Sequence, residues 1–326
     1  MNETYAAVPA LAGHPEEGHS PPQCPVEETR CPVVAHEWVN DEYKHLVIKA
    51  TPKALAAKPG QFFQLLCPSP DAIEVWFRRP QSVYLVDRSS GRLEFLYKVV
   101  GRGTQGLATL QPGDILDMVG PLGKGFTIEW KAKNIVVLGR GVGLATMAPI
   151  SQLAGEMGVR VTAILSARSP ELALAADLFE SVGTVIKVLD TDGTSAVENV
   201  EAILLKLIKD KKADAFYTCG SNRLLQLMKR IARAHGIPGQ AAMEQIMACG
   251  LGPCYICVRT FEINGKKEMR RVSMLIFRPR MVFDTVMALA PAFSAASATA
   301  VISPAFGESL AHSGFAVIER QSFTTL

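Results

Sequence analysis

Short apolar runs separated by turn residues fill the first part of the chain. Segments such as QFFQLLCP, QSVYLVD and LEFLYKVV are rich in Val, Leu, Phe and Tyr, and Gly, Pro, Asp or Asn divide them. Regularly spaced short strands of this kind are typical of a small antiparallel barrel. The pattern therefore predicts a β-barrel over residues 31–128, with strands at EVWFRRP and QSVYLVD and one helical turn at LATLQPGD.

From residue 129 the pattern changes to an alternation of strands and helices. Continuous apolar runs such as NIVVLGRG and ADAFYTCGS alternate with helical stretches such as TMAPISQLAGEMG, ELALAADLFESVG and VENVEAILLKLIKDKK. Alternation at this spacing indicates a doubly wound parallel sheet with helices packed on it. Residues 129–242 are therefore predicted to form an α/β domain.

The rest of the chain divides into a leader, a cysteine-containing region and a tail. Residues 1–30 lack the charged and apolar segments of a signal peptide, and we expect a disordered leader. Residues 243–273 hold clustered cysteines and a predicted hairpin, VRTFEINGKKEMRRV, with its turn at Asn264-Gly265. Residues 274–326 form an atypical tail, whose Ala- and Ser-rich composition and prolines argue against a membrane span.

Composition and charge narrow the class of protein. The chain has 326 residues, of which 48% are hydrophobic and 20% charged, so it can build two or three globular domains. A net charge of +3 is too small to indicate a nucleic-acid partner. Without a signal peptide we expect a cytoplasmic protein, in which clustered cysteines indicate a metal site rather than disulfides.

Three glycine- or arginine-containing motifs of the predicted barrel are candidates for phosphate binding. The stretch RPQS at residues 79–82 offers a guanidinium for a pyrophosphate and a hydroxyl for the ligand, or holds a surface arginine at a strand end. The turn GRGT at residues 101–104 can cradle a phosphate with its amides, or is an ordinary β-turn. The glycines of GPLGKGF at residues 120–126 allow close ligand approach, or form an interdomain turn.

The turn GRGVG at residues 139–143 stands where a nucleotide-binding turn is expected, between a strand and a helix. Its GxGxG spacing departs from the GxGxxG fingerprint. The second strand ends at Arg168 instead of an acidic residue, which leaves NAD and NADP both open, since an arginine can bind a 2′-phosphate or lie in solvent. Cys219, at the carboxyl end of a predicted parallel strand, lines the nicotinamide site or is a small buried side chain.

The most specific motif is CGLGPCYIC. The C-x4-C-x2-C spacing of Cys249, Cys254 and Cys257 is that of a plant-type [2Fe–2S] site. No histidine lies nearby, which argues against a zinc site. Such a centre needs four ligands, and no cysteine follows Cys257. The predicted hairpin returns the chain at Ser273, which we predict as the fourth ligand. Serine ligates iron less readily than cysteine, which leaves three alternatives: the cluster is ligated by serine, it is labile, or it is absent.

Taken in order, these motifs resemble the ferredoxin–NADP reductase superfamily and, more narrowly, the electron-transfer subunits of NAD-dependent dihydroorotate dehydrogenases. The resemblance runs from about Cys31 to Ser273 and rests on RRPQS, VVGRGTQGLATLQPGD, GPLGKGF, LGRGVGLA, TCGSNRLL and EQIMACGLGPCYICV. It implies FAD at the first two motifs, NAD at the GRGVG turn and a [2Fe–2S] cluster at the cysteines. The cofactor-binding residues that we predict are Arg79, Pro80, Gln81, Ser82, Gly101, Gly103, Thr104, Gly139, Gly141, Gly143 and Cys219.

The resemblance also implies a partner and a pathway. An FMN-containing catalytic subunit oxidises a dihydropyrimidine in pyrimidine biosynthesis, and its electrons cross the cluster to FAD and leave as a hydride to NAD⁺, in a heterotetramer. No side chain of this chain is expected to act as a catalytic acid or base. The alternatives are a related reductase subunit with another partner, and a cluster-deficient diaphorase or regulatory subunit. Because the departures from the family begin at Ser273, we hypothesise that the tail is a non-homologous replacement.

Overall fold

The computed structural model of the protein describes residues 26–72, 74–243, 246–263 and 266–272. Residues 1–25 of the predicted leader, the Asn264-Gly265 turn, Ser273 and the tail 274–326 lie outside the described residues.

The first sheet is an antiparallel half-barrel of seven strands, in the order β4-β3-β7-β1-β2-β6-β5. Its strands are β1 (Glu27–Trp38), β2 (Tyr43–Lys49), β3 (Phe62–Leu65), β4 (Arg79–Ser82), β5 (Leu85–Asp87), β6 (Arg92–Lys98) and β7 (Ile115–Leu122). Its core is built from the inward side chains of the central strands, among them Leu46, Phe63 and Phe95, which are fully buried. The alternation of apolar and polar residues therefore predicted this sheet correctly.

Two details predicted within this sheet are wrong. The helix α1 spans Arg102–Leu107, so it lies on GRGTQGL and not on LATLQPGD. Gly106 lets this helix lie against the chain, because a Cβ there would be 1.7 Å from the carbonyl oxygen of Pro68. In addition, EVWF is not a strand, and β4 begins only at Arg79. β4 is an edge strand, where Pro80 is tolerated because its missing N–H breaks no ladder.

The second sheet has five parallel strands in the order β10-β9-β8-β11-β12, as a doubly wound domain requires. Its strands are β8 (Asn134–Arg140), β9 (Arg160–Ala167), β10 (Gly183–Leu189), β11 (Ala215–Cys219) and β12 (Gly239–Ala241). Its helices are α2 (Gly143–Glu156), α3 (Ala176–Val182), α4 (Val197–Lys209) and α5 (Asn222–His235). The helix predicted at ELALAADLFESVG is shorter than expected, because Ala175 adopts a left-handed conformation just before α3.

One apolar cluster joins the two sheets. Tyr43 and Leu96 of the half-barrel and Phe126 of the connecting segment are buried in the same cluster as Leu144 and Tyr217 of the α/β part. The rings of Phe126 and Tyr217 meet edge to face with centroids 5.8 Å apart. The two sheets are therefore packed through a continuous core, which sets the position of each relative to the other.

Polar contacts at Thr127 reinforce this junction. The Tyr217 hydroxyl donates to the Thr127 carbonyl oxygen at 2.7 Å. Gln240 uses both ends of its amide: Nε2 donates to the same carbonyl at 2.6 Å, and Oε1 accepts from the Thr127 N–H at 3.0 Å. The connecting segment is thus fixed by side chains of the parallel sheet.

A small hairpin carries the end of the described chain. Strands β13 (Val258–Ile263) and β14 (Lys266–Arg271) pair antiparallel, as the sequence predicted. Cys257, Phe261 and Val272 form its buried core, against Met243 and Met247. Across all the described ranges, no helix is both long enough and apolar enough to cross a bilayer.

The contact of Tyr217 with Thr127 predicts a measurable stability change. Tyr217→Phe removes one hydrogen bond and leaves the Thr127 carbonyl its bond from Gln240, so we expect a loss of about 0.5–1.5 kcal/mol in the free energy of unfolding. The control is Tyr255→Phe, at a residue that is 63% exposed, with an expected change within about 0.5 kcal/mol. Urea denaturation followed by circular dichroism measures both, and equal values would contradict the prediction.

Candidate functional site

The structure brings together the first two predicted phosphate motifs. Arg79 begins β4, and its side chain lies across the first turn of α1. A Cβ on Gly103 would be 2.5 Å from Nε of Arg79, so a larger residue there would displace the guanidinium. The cation is therefore placed beside the turn that was predicted to receive a phosphate.

The other residues of these two motifs differ in their burial and hydrogen bonding. Pro80, Gln81 and Ser82 are half-buried along β4. Thr104 uses its hydroxyl within its own turn: Oγ1 accepts from the N–H of Val100 at 3.0 Å and donates to the carbonyl of Gly101 at 3.0 Å. Thr104 therefore shapes the turn, while Gly101 is exposed with open space beside its Cα.

Cys67 is a buried neighbour of Arg79 that the sequence did not single out. It is 4% exposed, and burial raises the pKa of its thiol to about 11, although the positive charge of Arg79 acts in the opposite direction. The thiol therefore stays protonated at neutral pH. No sequence signal marks this cysteine, because it comes next to Arg79 only when β3 and β4 pair in the folded sheet.

The glycines of the GRGVG turn allow close packing at the carboxyl edge of the parallel sheet. Gly141 has φ of +56°, a left-handed conformation that favours glycine. A Cβ on Gly143 would lie 2.4 Å from the carbonyl oxygen of Cys219, and one on Gly139 would lie 2.7 Å from Leu144. The turn therefore packs directly against Cys219, which also borders a cavity of about 110 Å³ together with Ser221 and Met243.

Two arginines at this edge are paired with carboxylates. Arg140 binds Asp190 in a bidentate manner, with Nη2 2.6 Å from Oδ2 and Nη1 3.1 Å from Oδ1, and it also reaches Ser166. Hydrogen bonds from Arg140 and Ser195 hold the pKa of Asp190 below its usual value.

Arg168 is the second of these arginines, and it pairs with Glu42 of the half-barrel. Glu42 also binds Lys98, with Oε2 2.8 Å from Nζ. Lys98 and then Arg168 lower the pKa of Glu42, against the opposing effect of burial. Arg168 therefore faces a carboxylate in this structure, although the sequence offered it as a 2′-phosphate ligand.

The cysteine loop brings two of the predicted cluster ligands side by side. The sulfur atoms of Cys249 and Cys254 are 3.2 Å apart, and the N–H of Gly252 donates to the Cys249 sulfur at 3.2 Å. Gly250 and Gly252 both have positive φ. Hydrogen bonds from the backbone of Cys249 and Ile256 lower the pKa of Cys254 to about 7. Adjacent thiols, one acidified, and an amide directed at sulfur fit iron–sulfur ligation.

The third predicted ligand is less accessible. Cys257 is 1% exposed in the hairpin core. Within the described part of the chain, no set of three His, Cys, Asp or Glu side chains is arranged to hold a metal ion. The N–H of Val272 donates to the carbonyl of Cys257 at 3.0 Å, so the hairpin does return to the cysteines at the residue before Ser273, while Ser273 itself is outside the described residues.

The cysteine loop rests on the half-barrel next to the predicted flavin strand. The Gln64 side chain of β3 donates from Nε2 to the carbonyl oxygen of Ala248 at 3.2 Å. β3 pairs with β4, and Gln64 lies opposite Pro80. The predicted flavin and cluster sites are therefore neighbours. By contrast, a cavity of about 740 Å³ at the amino ends of β8–β10 is lined by none of the predicted site residues.

Known proteins with similar sequences share one description. No protein-family model matches the chain. The dihydroorotate dehydrogenase B (NAD(+)) electron transfer subunit of Desulforamulus reducens is 30% identical over 219 residues, which cover 67% of this chain and 83% of that protein. The subunit of the same name from Enterococcus faecalis is 34% identical over 218 residues, or 65% of this chain and 81% of that protein.

Solved structures agree with this description at the level of the fold. An NADH-dependent reduced ferredoxin–NADP oxidoreductase, studied for flavin-based electron bifurcation, superposes with a TM-score of 0.65 at 26% identity and covers 77% of this chain and 88% of that one. A ferredoxin reductase of carbazole 1,9a-dioxygenase shares the fold with a TM-score of 0.54 at 21% identity, over 66% of this chain and 68% of that one.

The position of Arg79 leads to a binding prediction. If its guanidinium holds the flavin pyrophosphate, Arg79→Gln removes a charged hydrogen bond worth about 1.5–3 kcal/mol, and FAD affinity falls roughly 10- to 100-fold. Fluorescence titration of the flavin-stripped protein measures this. Arg88→Gln, at an exposed arginine in the turn between β5 and β6, should leave FAD affinity unchanged. Equal affinities of the two variants would remove Arg79 from the flavin site.

Proposed function

The chain belongs to the family of dihydroorotate dehydrogenase B (NAD(+)) electron transfer subunits, and we propose that it carries electrons between an FMN-containing catalytic partner and NAD⁺ through its own FAD and [2Fe–2S] cluster. The observation that carries this proposal is the contact of the cysteine loop with β3, beside the strand predicted to bind FAD. Electron carriers must lie close together, and this contact supports two carriers in adjacent sites.

The residues of this chain hold and orient the groups that do the chemistry. Bound FAD supplies the conversion between a two-electron hydride and the single electrons of an iron–sulfur centre. In the proposal Arg79, Ser82 and the turn at Gly103 hold FAD, and the glycine turn at 139–143 holds the dinucleotide. Cys249, Cys254 and Cys257 ligate the cluster, with Ser273 as fourth ligand.

The surface of the cysteine loop supports a protein partner. Leu251, Tyr255 and Ile256 are 51%, 63% and 48% exposed, and Ile246 is 79% exposed. Exposed apolar side chains grouped along one loop are typical of a surface that another chain covers. A catalytic dehydrogenase subunit bound there, in a heterotetramer, would receive or give electrons next to the cluster.

A second candidate function is a diaphorase or regulatory subunit without a working cluster. It is favoured by the absence of a cysteine after Cys257 and by the lack of a convergent set of three ligands in the described ranges. Such a protein would still bind FAD and oxidise NADH with dyes, and it would not exchange electrons with the partner.

Iron content separates these two functions. We expect anaerobically purified protein to hold about two irons and two acid-labile sulfides per chain, with a rhombic low-temperature EPR signal after dithionite reduction. Ser273→Ala should lose iron because it removes the predicted ligand, whereas Ser273→Cys should retain iron and resist its loss in air. Bound FAD without iron in the wild-type protein would instead establish the diaphorase or regulatory function.

We further propose that the dinucleotide is NAD rather than NADP. Arg140 and Arg168, at the carboxyl edge, are paired with the carboxylates of Asp190 and Glu42. A 2′-phosphate would have to displace Asp190 or Glu42 from these cations and would meet their negative charge. An adenosine ribose with a free 2′-hydroxyl meets no such repulsion.

This pairing predicts a change in coenzyme preference. Glu42→Gln frees Arg168 and removes a negative charge, so the kcat/KM ratio of NADPH to NADH in dye reduction should rise by up to roughly fivefold, since an exposed ion pair is worth up to about 1 kcal/mol. Asp190→Asn should act in the same direction. Glu201→Gln breaks an ion pair with Arg230 between α4 and α5 and should leave the ratio unchanged. A ratio that does not move in Glu42→Gln would refute the assignment.

A further inference from the structure

Gln64 is a buried amide that packing alone does not explain. It is 1% exposed on β3, and its Nε2 donates to the Ala248 carbonyl at 3.2 Å. Its Oε1 is also buried and has no hydrogen-bond partner among the described residues. A buried acceptor without a hydrogen-bond partner destabilises the folded state. Gln240, equally buried at 2% exposed, satisfies both ends of its amide on Thr127, which shows how a purely structural glutamine is accommodated in this fold.

The place of Gln64 gives it contact with both predicted cofactor sites. Along the sheet it lies opposite Pro80 in the predicted flavin strand. Toward the loop it binds the carbonyl directly before Cys249, and a Cβ on Gly250 would lie 2.8 Å from Nε2. The loop therefore crosses the amide at a distance that only a glycine with left-handed φ, here +67°, permits.

We propose that Gln64 is a positioning residue: it fixes the Cys249 loop on the β3–β4 pair and so sets electron transfer between cluster and flavin. The inference rests on the proposed function. In the reverse direction, which NADH would drive, a hydride would bring two electrons and one proton to a bound flavin, and the cluster would take single electrons from it, holding one at a time. A displaced loop changes only that single-electron step and the surroundings of the cluster. In the protein with its cofactors bound, the Oε1 of Gln64 can accept a hydrogen bond from a donor next to it.

Two substitutions of Gln64 test the contact in the full-length, anaerobically purified flavoprotein. Gln64→Met keeps the length of the side chain and removes the amide, and Gln64→Glu keeps its shape and replaces the donor by an acceptor that faces the Ala248 carbonyl. The measurements are iron per flavin, the EPR spectrum and midpoint potential of the cluster, and the stopped-flow rate of cluster reduction by NADH relative to flavin reduction. We expect shifted EPR g-values and a relative rate about tenfold lower in both variants, as small displacements of reacting groups produce.

The matched control is Gln240→Met, which removes a buried amide whose hydrogen bonds within the described ranges go to Thr127 and not to the cysteine loop. It should lower stability without changing the EPR spectrum or the relative rate. Wild-type spectra and rates in both Gln64 variants would overturn the proposal, and so would equal changes in Gln240→Met, because the effect would then be general destabilisation.

Gly250→Ala approaches the same contact from the loop if the Gln64 variants do not fold. Its methyl group would press on Nε2 of Gln64, and we expect the same spectral and kinetic changes. Gly158→Ala, with positive φ and open space around it, controls for backbone strain alone. Unchanged spectra in Gly250→Ala would also overturn the proposal. Wild-type protein without iron would instead remove the proposed relay itself, and the role of Gln64 with it.

Discussion

The apolar cluster between the two sheets is the interaction on which the rest of the structure depends. Tyr43 and Leu96 of the half-barrel are buried with Leu144 of α2 and Tyr217 of β11, so the barrel and the parallel sheet share side chains in one core. Burial of apolar surface is non-directional, but close packing of interlocking side chains permits few arrangements. This core therefore fixes the distance between the predicted flavin strand and the predicted nucleotide turn. A ligand that contacts both sheets would bind to parts whose relative position is already set.

Between these packed elements, glycines allow separate parts of the chain to approach closely. Gly103 admits the guanidinium of Arg79, Gly143 admits the carbonyl of Cys219, and Gly250 admits the amide of Gln64. Each of these glycines belongs to a different predicted motif, and each is the point where that motif contacts another part of the chain. These glycines thus allow close contact between two parts of the chain. A Cβ at any of them would push apart groups that the proposed function needs close together.

This distinction explains what could be predicted from the sequence. Both sheets and their order along the chain followed from hydrophobic spacing, because burial imposes a regular pattern on the residues that form an element. The hairpin followed from its predicted Asn264-Gly265 turn. The helix α1 was misplaced because Thr104 and Gly106 stabilise it through contacts with Gly101 and Pro68, which carry no periodic signal. Pairs such as Arg168 with Glu42, or Gln64 with Ala248, join segments far apart in the chain, and only the folded topology brings them together. The motifs therefore supplied the candidate cofactor-binding residues, which stay predictions, and the structure was needed to find the residues packed around them.

The cysteine loop illustrates how a predicted site can keep its shape whatever residue stands at position 273. Besides the contact with Gln64, two backbone amides hold it: the Gly252 N–H donates to the Cys249 sulfur, and the Val272 N–H donates to the Cys257 carbonyl. None of these bonds involves the side chain at position 273. If Ser273 is the fourth ligand, as predicted, it changes the ligand chemistry, since a hard alkoxide suits iron–sulfur ligation less than a thiolate, without removing the loop that carries the three predicted cysteine ligands. The cost of the change should therefore fall on cluster retention and potential rather than on folding, which is why iron content and EPR are more informative for this chain than its stability.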